Sequence, residues 1–125
     1  MSRASGKLFP ALIPLLLPAG IARGGEADVL AAKVRCSRDS VCEFAVTVQH
    51  QDRGWDHYAD RWEVLSEDGK VLATRILRHP HLEDQPFRRL LSGVAVPGEI
   101  SRVRIRARDS VHGYGGEGIA VEIPR

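Results

Sequence analysis

Apolar and polar residues alternate along most of the chain with a period of two, which is typical of β-strands with one buried face. The clearest example is Cys42, Phe44, Val46 and Val48, each followed by a polar or small residue. Similar stretches occupy residues 30–36, 62–64, 71–77, 87–96, 103–107 and 119–123. Short strands with turn residues between them, and no long helical period, predict an all-β fold. We expect an immunoglobulin- or fibronectin-like antiparallel β-sandwich of about seven strands.

The beginning of the chain has the pattern of a secretory signal peptide. Arg3 and Lys7 come before an apolar run over residues 8–22, and small residues follow. Three prolines interrupt the run, whereas a membrane span needs about 20 uninterrupted apolar residues, so an uncleaved anchor is the weaker alternative. Cleavage is expected after Ala22 or after Ala27.

We therefore predict a signal peptide over residues 1–27 and one β-sandwich domain over 28–125, located in the periplasm or secreted, with no membrane span after cleavage. The predicted mature domain has 15 basic and 15 acidic side chains. Without a net positive charge it is a poor candidate for binding nucleic acid.

The two cysteines, Cys36 and Cys42, lie on either side of a short turn between two strands. In an oxidising compartment two cysteines at this position are expected to form a disulfide across a hairpin. The five-residue spacing between them differs from the two-residue spacing of thioredoxin-like redox sites, and a thiolate metal site would need more than two cysteines.

All five histidines fall in the second, fourth and sixth loops between the predicted strands: His50 and His57, His79 and His81, and His112. In a sandwich every second loop lies at the same end, so the histidines are expected to share one pole. Histidine is a common metal ligand, which makes this pole a candidate metal site.

Two segments of this pole resemble the iron domain of superoxide reductases and desulfoferrodoxins. They are HYADRWEVLSEDGKVL, which begins at His57, and Asp109-Ser110-Val111-His112-Gly113, which follows a basic strand. The resemblance covers about residues 50–77 and 102–115. It implies an immunoglobulin-like fold, with a ferrous ion held by four imidazoles and an axial cysteine, opposite the position where superoxide is reduced.

Carried over by position, the resemblance implies that His50, His57 and His112 are ligands, and His79 or His81 would have to supply the fourth imidazole. Asp109 stands where the family has its cysteine. Because the thiolate donates electron density to the iron, a carboxylate at that position puts superoxide reduction in doubt. Imidazoles and a carboxylate without thiolate favour Cu or Zn over Fe.

Asp109 has two alternative roles on its own chemistry: a metal ligand or partner of an imidazole, or a cap that accepts hydrogen bonds from loop amides near Val111. The row Arg102, Arg104, Arg106 and Arg108 likewise has two. It is either a solvated face paired with acidic residues of neighbouring strands, which is favoured, or a grip for an anionic partner.

The leading hypothesis is an exported protein that binds one transition-metal ion through His50, His57, His112 and Asp109, with His79 or His81. One alternative is a divergent superoxide reductase-like iron enzyme. Another is a metal-free module whose loops bind a periplasmic protein partner. The residues favour a binding protein over an enzyme and name no catalytic group.

Overall fold

The computed structural model describes residues 25–125, so most of the predicted signal peptide lies outside the described residues. The described part contains seven strands and no helix. Accordingly, no helix within residues 25–125 is long or apolar enough to cross a membrane. The strands are β1 (Asp28–Cys36), β2 (Val41–Gln49), β3 (Ala59–Ser66), β4 (Val71–Ile76), β5 (Phe87–Ala95), β6 (Arg102–Asp109) and β7 (Ile119–Glu122).

The strands form two antiparallel sheets, one ordered β1-β2-β5 and the other β4-β3-β6-β7. The predicted all-β sandwich is confirmed, and its strand order is that of a fibronectin-type arrangement. The core between the sheets includes Phe44 from β2, Trp62 from β3 and Ile105 from β6, which are completely or almost completely buried. Burial of alternate residues along these strands removes their apolar surface from water and holds the two sheets together.

The predicted alternation fails at the beginning of β1. Leu30 continues the apolar spacing of Ala32 and Val34 in the sequence, yet it is 49% exposed, while Val29 is buried. The register of β1 against β2 shifts between Val29 and Ala31. Such a bulge changes which face the next side chain occupies, and period-two analysis cannot anticipate it.

The predicted disulfide is confirmed: Cys36 and Cys42 are bonded across the turn between β1 and β2. They are also a directly paired position in the ladder of these two strands. β2 begins beside this turn and ends at Gln49, next to His50, so the disulfide and the histidines lie at opposite ends of the domain.

The arginine row of β6 pairs with acidic side chains, as the favoured interpretation predicted. Arg106 contacts Glu63 at 2.9 Å and Arg108 contacts Asp60 at 2.5 Å, both across to β3. Arg102 lies 3.9 Å from Glu67. These carboxylates neutralise most of the row, which therefore does not act as a uniform positive surface.

Candidate metal centre

Three strand ends bring the candidate ligands to one pole. His50 follows the last residue of β2, His57 lies just before β3, and Asp109 is the last residue of β6. Because β2 and β6 both run toward this pole and β3 starts from it, residues far apart in sequence meet there. The predicted approach of His57 and His112 is confirmed, since their ring centroids are 5.0 Å apart.

Backbone pairing fixes the relative positions of two of these strand ends. Ala59 pairs with Asp109 in the β3–β6 ladder. The amide of Ser110 donates to the carbonyl of Tyr58 at 2.9 Å, and the amide of Tyr58 donates to the hydroxyl of Ser110 at 3.0 Å. The backbone next to His57 is therefore held against the backbone next to Asp109.

Three imidazole nitrogens converge on one oxygen of Asp109. Nε2 of His50 and Nε2 of His57 each lie 2.8 Å from Oδ2 of Asp109. Nδ1 of His112 lies 3.0 Å from the same oxygen. We call these four residues the histidine–aspartate cluster. The side chains of His50 and Asp109 are inaccessible to solvent, while that of His112 is 42% exposed, so the cluster extends from the interior to the surface.

The backbone carbonyl of Gly25 contacts the same three nitrogens. Its oxygen lies 3.1 Å from Nε2 of His50, 3.2 Å from Nε2 of His57 and 2.9 Å from Nδ1 of His112. The segment that carries it is packed onto the domain, since Ala27 is buried. The predicted domain boundary after residue 27 thus falls within a segment that contacts the cluster.

The second oxygen of Asp109 has the capping role. Oδ1 accepts hydrogen bonds from the amides of Val111 at 2.6 Å and His112 at 3.0 Å. This cap leaves Oδ2 facing the imidazoles, so one carboxylate both orders the sixth loop and faces the three histidines. The two roles that the sequence left as alternatives are compatible, because each uses a different oxygen.

Asp109 is held in its ionised form. Burial opposes ionisation, but the hydrogen bonds from the side chain and amide of His112, the amide of Val111 and the side chain of His57 outweigh it and keep the pKa of Asp109 well below its usual range. In the other direction, the hydrogen bond to Asp109 raises the pKa of His112 above its ordinary value. The cluster therefore contains a buried negative charge that requires a cation or protons beside it.

A second carboxylate, Asp52, orients His50 from behind. Oδ1 of Asp52 lies 2.5 Å from Nδ1 of His50 and also accepts from the amide of Ala59 at 3.1 Å. Oδ2 accepts from the amide of His81 at 2.6 Å. Metal-binding imidazoles commonly have a carboxylate on the nitrogen away from the metal, where it fixes the ring and its tautomer.

His50 is therefore an imidazole with a carboxylate oxygen against each ring nitrogen. A carboxylate can only accept, so the contact with Asp52 requires a proton on Nδ1. The contact between Nε2 and Asp109 then requires either a second proton on the ring or another cation at that nitrogen. His57 and His112 face the same oxygen of Asp109 as His50 does. One metal ion at this point could take the place of the three protons that would otherwise lie between the ring nitrogens and Oδ2.

The separations within the cluster are close to those of a metal site. Ligands about 2.1 Å from an ion are about 3.0 Å apart at right angles, as in tetragonal copper sites, and about 3.4 Å apart in the tetrahedral geometry of zinc. The nitrogen-to-Oδ2 separations in the cluster are 2.8 to 3.0 Å. The facing donor atoms of His50, His57 and Asp109 all lie within 4.8 Å of one another. His50, His57 and Asp109 thus form a group that is able to hold a metal ion, and Nδ1 of His112 lies 3.0 Å from the same oxygen of Asp109.

His79 and His81, predicted as further ligands, lie at the same pole but have other contacts. The ring of His81 stacks on Phe87 with 3.8 Å between centroids, and its Nε2 accepts from Arg89 at 2.8 Å. His79 is exposed, and its Nδ1 lies 3.1 Å from the carbonyl of Pro80. The structure places neither ring against Asp109 and connects their loop to the cluster through Asp52 and through Gln85, whose Oε1 accepts from the amide of His50 at 3.0 Å.

Sequence reasoning missed Asp52 and Gly25. Asp52 carries a weak signal, because a carboxylate two residues after a candidate ligand is a suitable partner for its imidazole. Gly25 carries none, since its contact is made by a backbone oxygen. A Cβ at this position would lie 2.8 Å from Cε1 of His112, so a larger residue requires the His112 ring or the segment of Gly25 to shift.

The chain is 37% identical over 97 residues to a protein of Halomicrobium mukohataei described as "Putative lipoprotein". The match covers 78% of this chain and 47% of that protein, so the chain spans about half the length of the curated relative. The sequence matches no family model, and no solved structure matches it.

Proposed function

We propose that this protein works outside the cytoplasm and binds one transition-metal ion through His50, His57, His112 and Asp109. The observation that carries the proposal is the convergence of three imidazole nitrogens on a single oxygen of buried Asp109. The negative charge of the Asp109 carboxylate, which faces three imidazoles, is balanced more simply by one divalent cation than by three protons.

The location outside the cytoplasm is supported by three independent features. The sequence begins with the pattern of an export signal. Both cysteines are joined in a disulfide, which persists in oxidising compartments. The Halomicrobium relative is described as a lipoprotein. The proposal covers a periplasmic, a secreted or a membrane-anchored protein.

The chemistry of the donors favours Cu(II) or Zn(II) over Fe(II). Imidazole suits copper, zinc and iron, and a given set of nitrogen and oxygen ligands binds copper and zinc more tightly than ferrous iron. The carbonyl oxygen of Gly25 lies against the same three imidazole nitrogens and is a further neutral donor. The chain's own groups position the imidazoles, neutralise part of the charge of the ion and restrict the approach of water to the exposed side, at His112.

Calorimetric titration with Zn(II) and Cu(II) tests this proposal. The wild-type protein is expected to bind one equivalent, and His57→Ala and His112→Ala are expected to lose at least about tenfold in affinity each. His79→Ala is the matched control, because His79 is an exposed histidine of the same pole without a contact to Asp109. Equal binding by all four proteins would overturn the proposal.

A second candidate is an iron site of the superoxide reductase type. The observation that favours it is that His50, His57 and His112, which match the family's ligands, lie together, with Asp109 facing them from the position of the family's cysteine. Reduction of superoxide to hydrogen peroxide would consume one electron from Fe(II) and two protons.

Mixing Fe(II)-loaded protein with superoxide while recording iron oxidation and peroxide formation tests the second candidate. Zinc-loaded protein is the control, since zinc has no redox chemistry. Peroxide formed in proportion to oxidised iron would support it, and peroxide at the rate of the zinc control would exclude it.

A further inference from the structure

A second polar site lies beside the histidine–aspartate cluster, between the two sheets at one edge of the sandwich. β4 and β5 are edge strands of different sheets and lie next to each other there. A cavity of about 220 Å³ opens between them, lined by Arg75, Leu77, Arg78, His79, His81 and Arg89. Three guanidinium groups and two imidazoles surround it, and no acidic side chain among residues 25–125 lines it.

Two of the arginines occupy positions where the fold would normally place an apolar residue. Arg75 pairs with buried Trp62 across β3 and β4, and Arg89 pairs with buried Val46 across β2 and β5. Because directly paired residues point to the same face of a sheet, both arginines are on the inner faces. Both residues are half-buried, so each guanidinium group faces the space between the sheets while water still reaches part of it.

The partners of these two arginines are neutral. Nε of Arg75 donates to the carbonyl of Leu90 at 2.8 Å, and Nη1 donates to the carbonyl of Ile76 at 2.7 Å. Arg89 donates to the carbonyl of Arg88 and to Nε2 of His81, each at 2.8 Å. Within residues 25–125, none of the three guanidinium groups of the cavity lies within ion-pair distance of a carboxylate.

The neutral partners of Arg75 and Arg89 differ from the partners of the arginines on β6. On β6, Arg106 and Arg108 are each paired with a carboxylate at 2.9 Å or less. At the cavity, hydrogen bonds to carbonyls hold the guanidinium groups of Arg75 and Arg89 in place without giving them a carboxylate partner. The carboxylates of Asp52 and Asp84 lie close enough to His81 to influence it electrostatically, but neither residue lines the cavity.

We infer that this cavity is a binding site for a small oxyanion such as phosphate, held by Arg75, Arg78 and Arg89. Guanidinium groups bind phosphate and carboxylate oxygens through paired, charge-assisted hydrogen bonds, and groups fixed in advance lose little entropy on binding. The cavity is smaller than those that hold drug-sized ligands, which limits the ligand to a compact anion.

The role of His81 in this site is to position Arg89. Its Nε2 accepts from Arg89, while its ring is fixed by stacking on Phe87 and by the bond from its amide to Asp52. Asp52 also contacts His50, and Gln85 donates to the carbonyl of His81 and accepts from the amide of His50, so these two residues connect the anion site to the histidine–aspartate cluster. The inference does not depend on metal binding, because none of its donors belongs to that cluster.

Calorimetric titration of chelator-treated, metal-free protein with inorganic phosphate, at constant ionic strength in chloride, tests the inference. We expect saturable binding of one phosphate, about fivefold weaker in Arg78→Gln and about tenfold weaker in Arg89→Gln. Arg104→Gln is the matched control, because Arg104 is an exposed arginine of β6 outside the cavity and its loss removes the same charge.

Saturable binding that is unchanged in Arg104→Gln and weakened in Arg78→Gln supports the site. Because Arg78 lies in the loop after β4 and not in a strand, its variant tests the inference even if Arg89→Gln folds poorly. The absence of saturable binding, or an equal loss in Arg78→Gln and Arg104→Gln, would overturn it.

Discussion

Asp52 and His50 form a buried carboxylate–imidazole pair, with Oδ1 of Asp52 2.5 Å from Nδ1 of His50. This contact assigns the proton of the ring to Nδ1 and directs Nε2 at Asp109. Asp52 does not face the centre of the cluster. It nevertheless determines which ring nitrogen of His50 would face a metal ion. The pair also connects the loop after β2 to the loop that carries His81.

Asp52→Asn is expected to weaken Zn(II) binding by about 10- to 100-fold, because a neutral amide does not fix the proton on Nδ1 of His50 as a carboxylate does. Calorimetric titration measures the change, and the melting temperature is recorded in parallel. Asp60→Asn is the control, since Asp60 pairs with Arg108 outside the cluster. An unchanged affinity in Asp52→Asn would show that His50 needs no orienting partner.

In protein that begins at residue 23, as cleavage after Ala22 would leave it, Gly25→Ala is expected to weaken metal binding severalfold. A Cβ at this position would lie 2.8 Å from Cε1 of His112, so either the ring or the carbonyl of Gly25 must move away from the cluster. Gly98→Ala is the control, because a Cβ there meets nothing within 4 Å. Equal affinities in the two variants would show that the N-terminal segment does not support the cluster.

The affinity for Zn(II) is expected to fall as the pH is lowered, beginning above pH 6.5. A metal binds neutral imidazole, and the hydrogen bond to Asp109 raises the pKa of His112 above the ordinary value of about 6.5, so protons compete at higher pH than usual. Titrations at several pH values between about 8 and about 5.5 measure this. In His112→Ala the remaining affinity should begin to fall at lower pH. An affinity that stays constant over this range would contradict the role of imidazole.

Cys36→Ser combined with Cys42→Ser is expected to lower the free energy of unfolding by about 2 kcal/mol, the chain-entropy cost for so short a closed loop. Metal stoichiometry should not change, because the bond lies at the end of the domain opposite His50. Denaturant unfolding and metal titration of the same variant check both statements. Loss of metal binding in a folded variant would mean that the two ends are coupled.

Much of the fold follows from local pattern. The alternation of Phe44, Val46 and Val48 predicted a half-buried strand, and these side chains are fully buried in the structure. The grouping of histidine-bearing loops at one pole followed from counting connections. Leu30 departs from the pattern because of the bulge between Val29 and Ala31. A bulge depends on how two strands pair, and the sequence of one strand does not show that.

The composition of the site was only partly predictable. His50, His57, His112 and Asp109 could be named because their side chains are chemically suited to a metal. The contact of Gly25 comes from a carbonyl group that every residue has, so only the structure reveals it. His81 has the same ring as the cluster histidines, but its ring stacks on Phe87 and accepts a hydrogen bond from Arg89, and both contacts lie outside the cluster.

The most direct measurement is a crystal structure of the protein grown with Zn(II), with anomalous diffraction recorded at the zinc edge. The account predicts one strong anomalous peak about 2.0 to 2.2 Å from Nε2 of His50, Nε2 of His57 and Nδ1 of His112, next to Oδ2 of Asp109. A peak only at exposed His79, or no peak in the cluster at saturating zinc, would contradict the account.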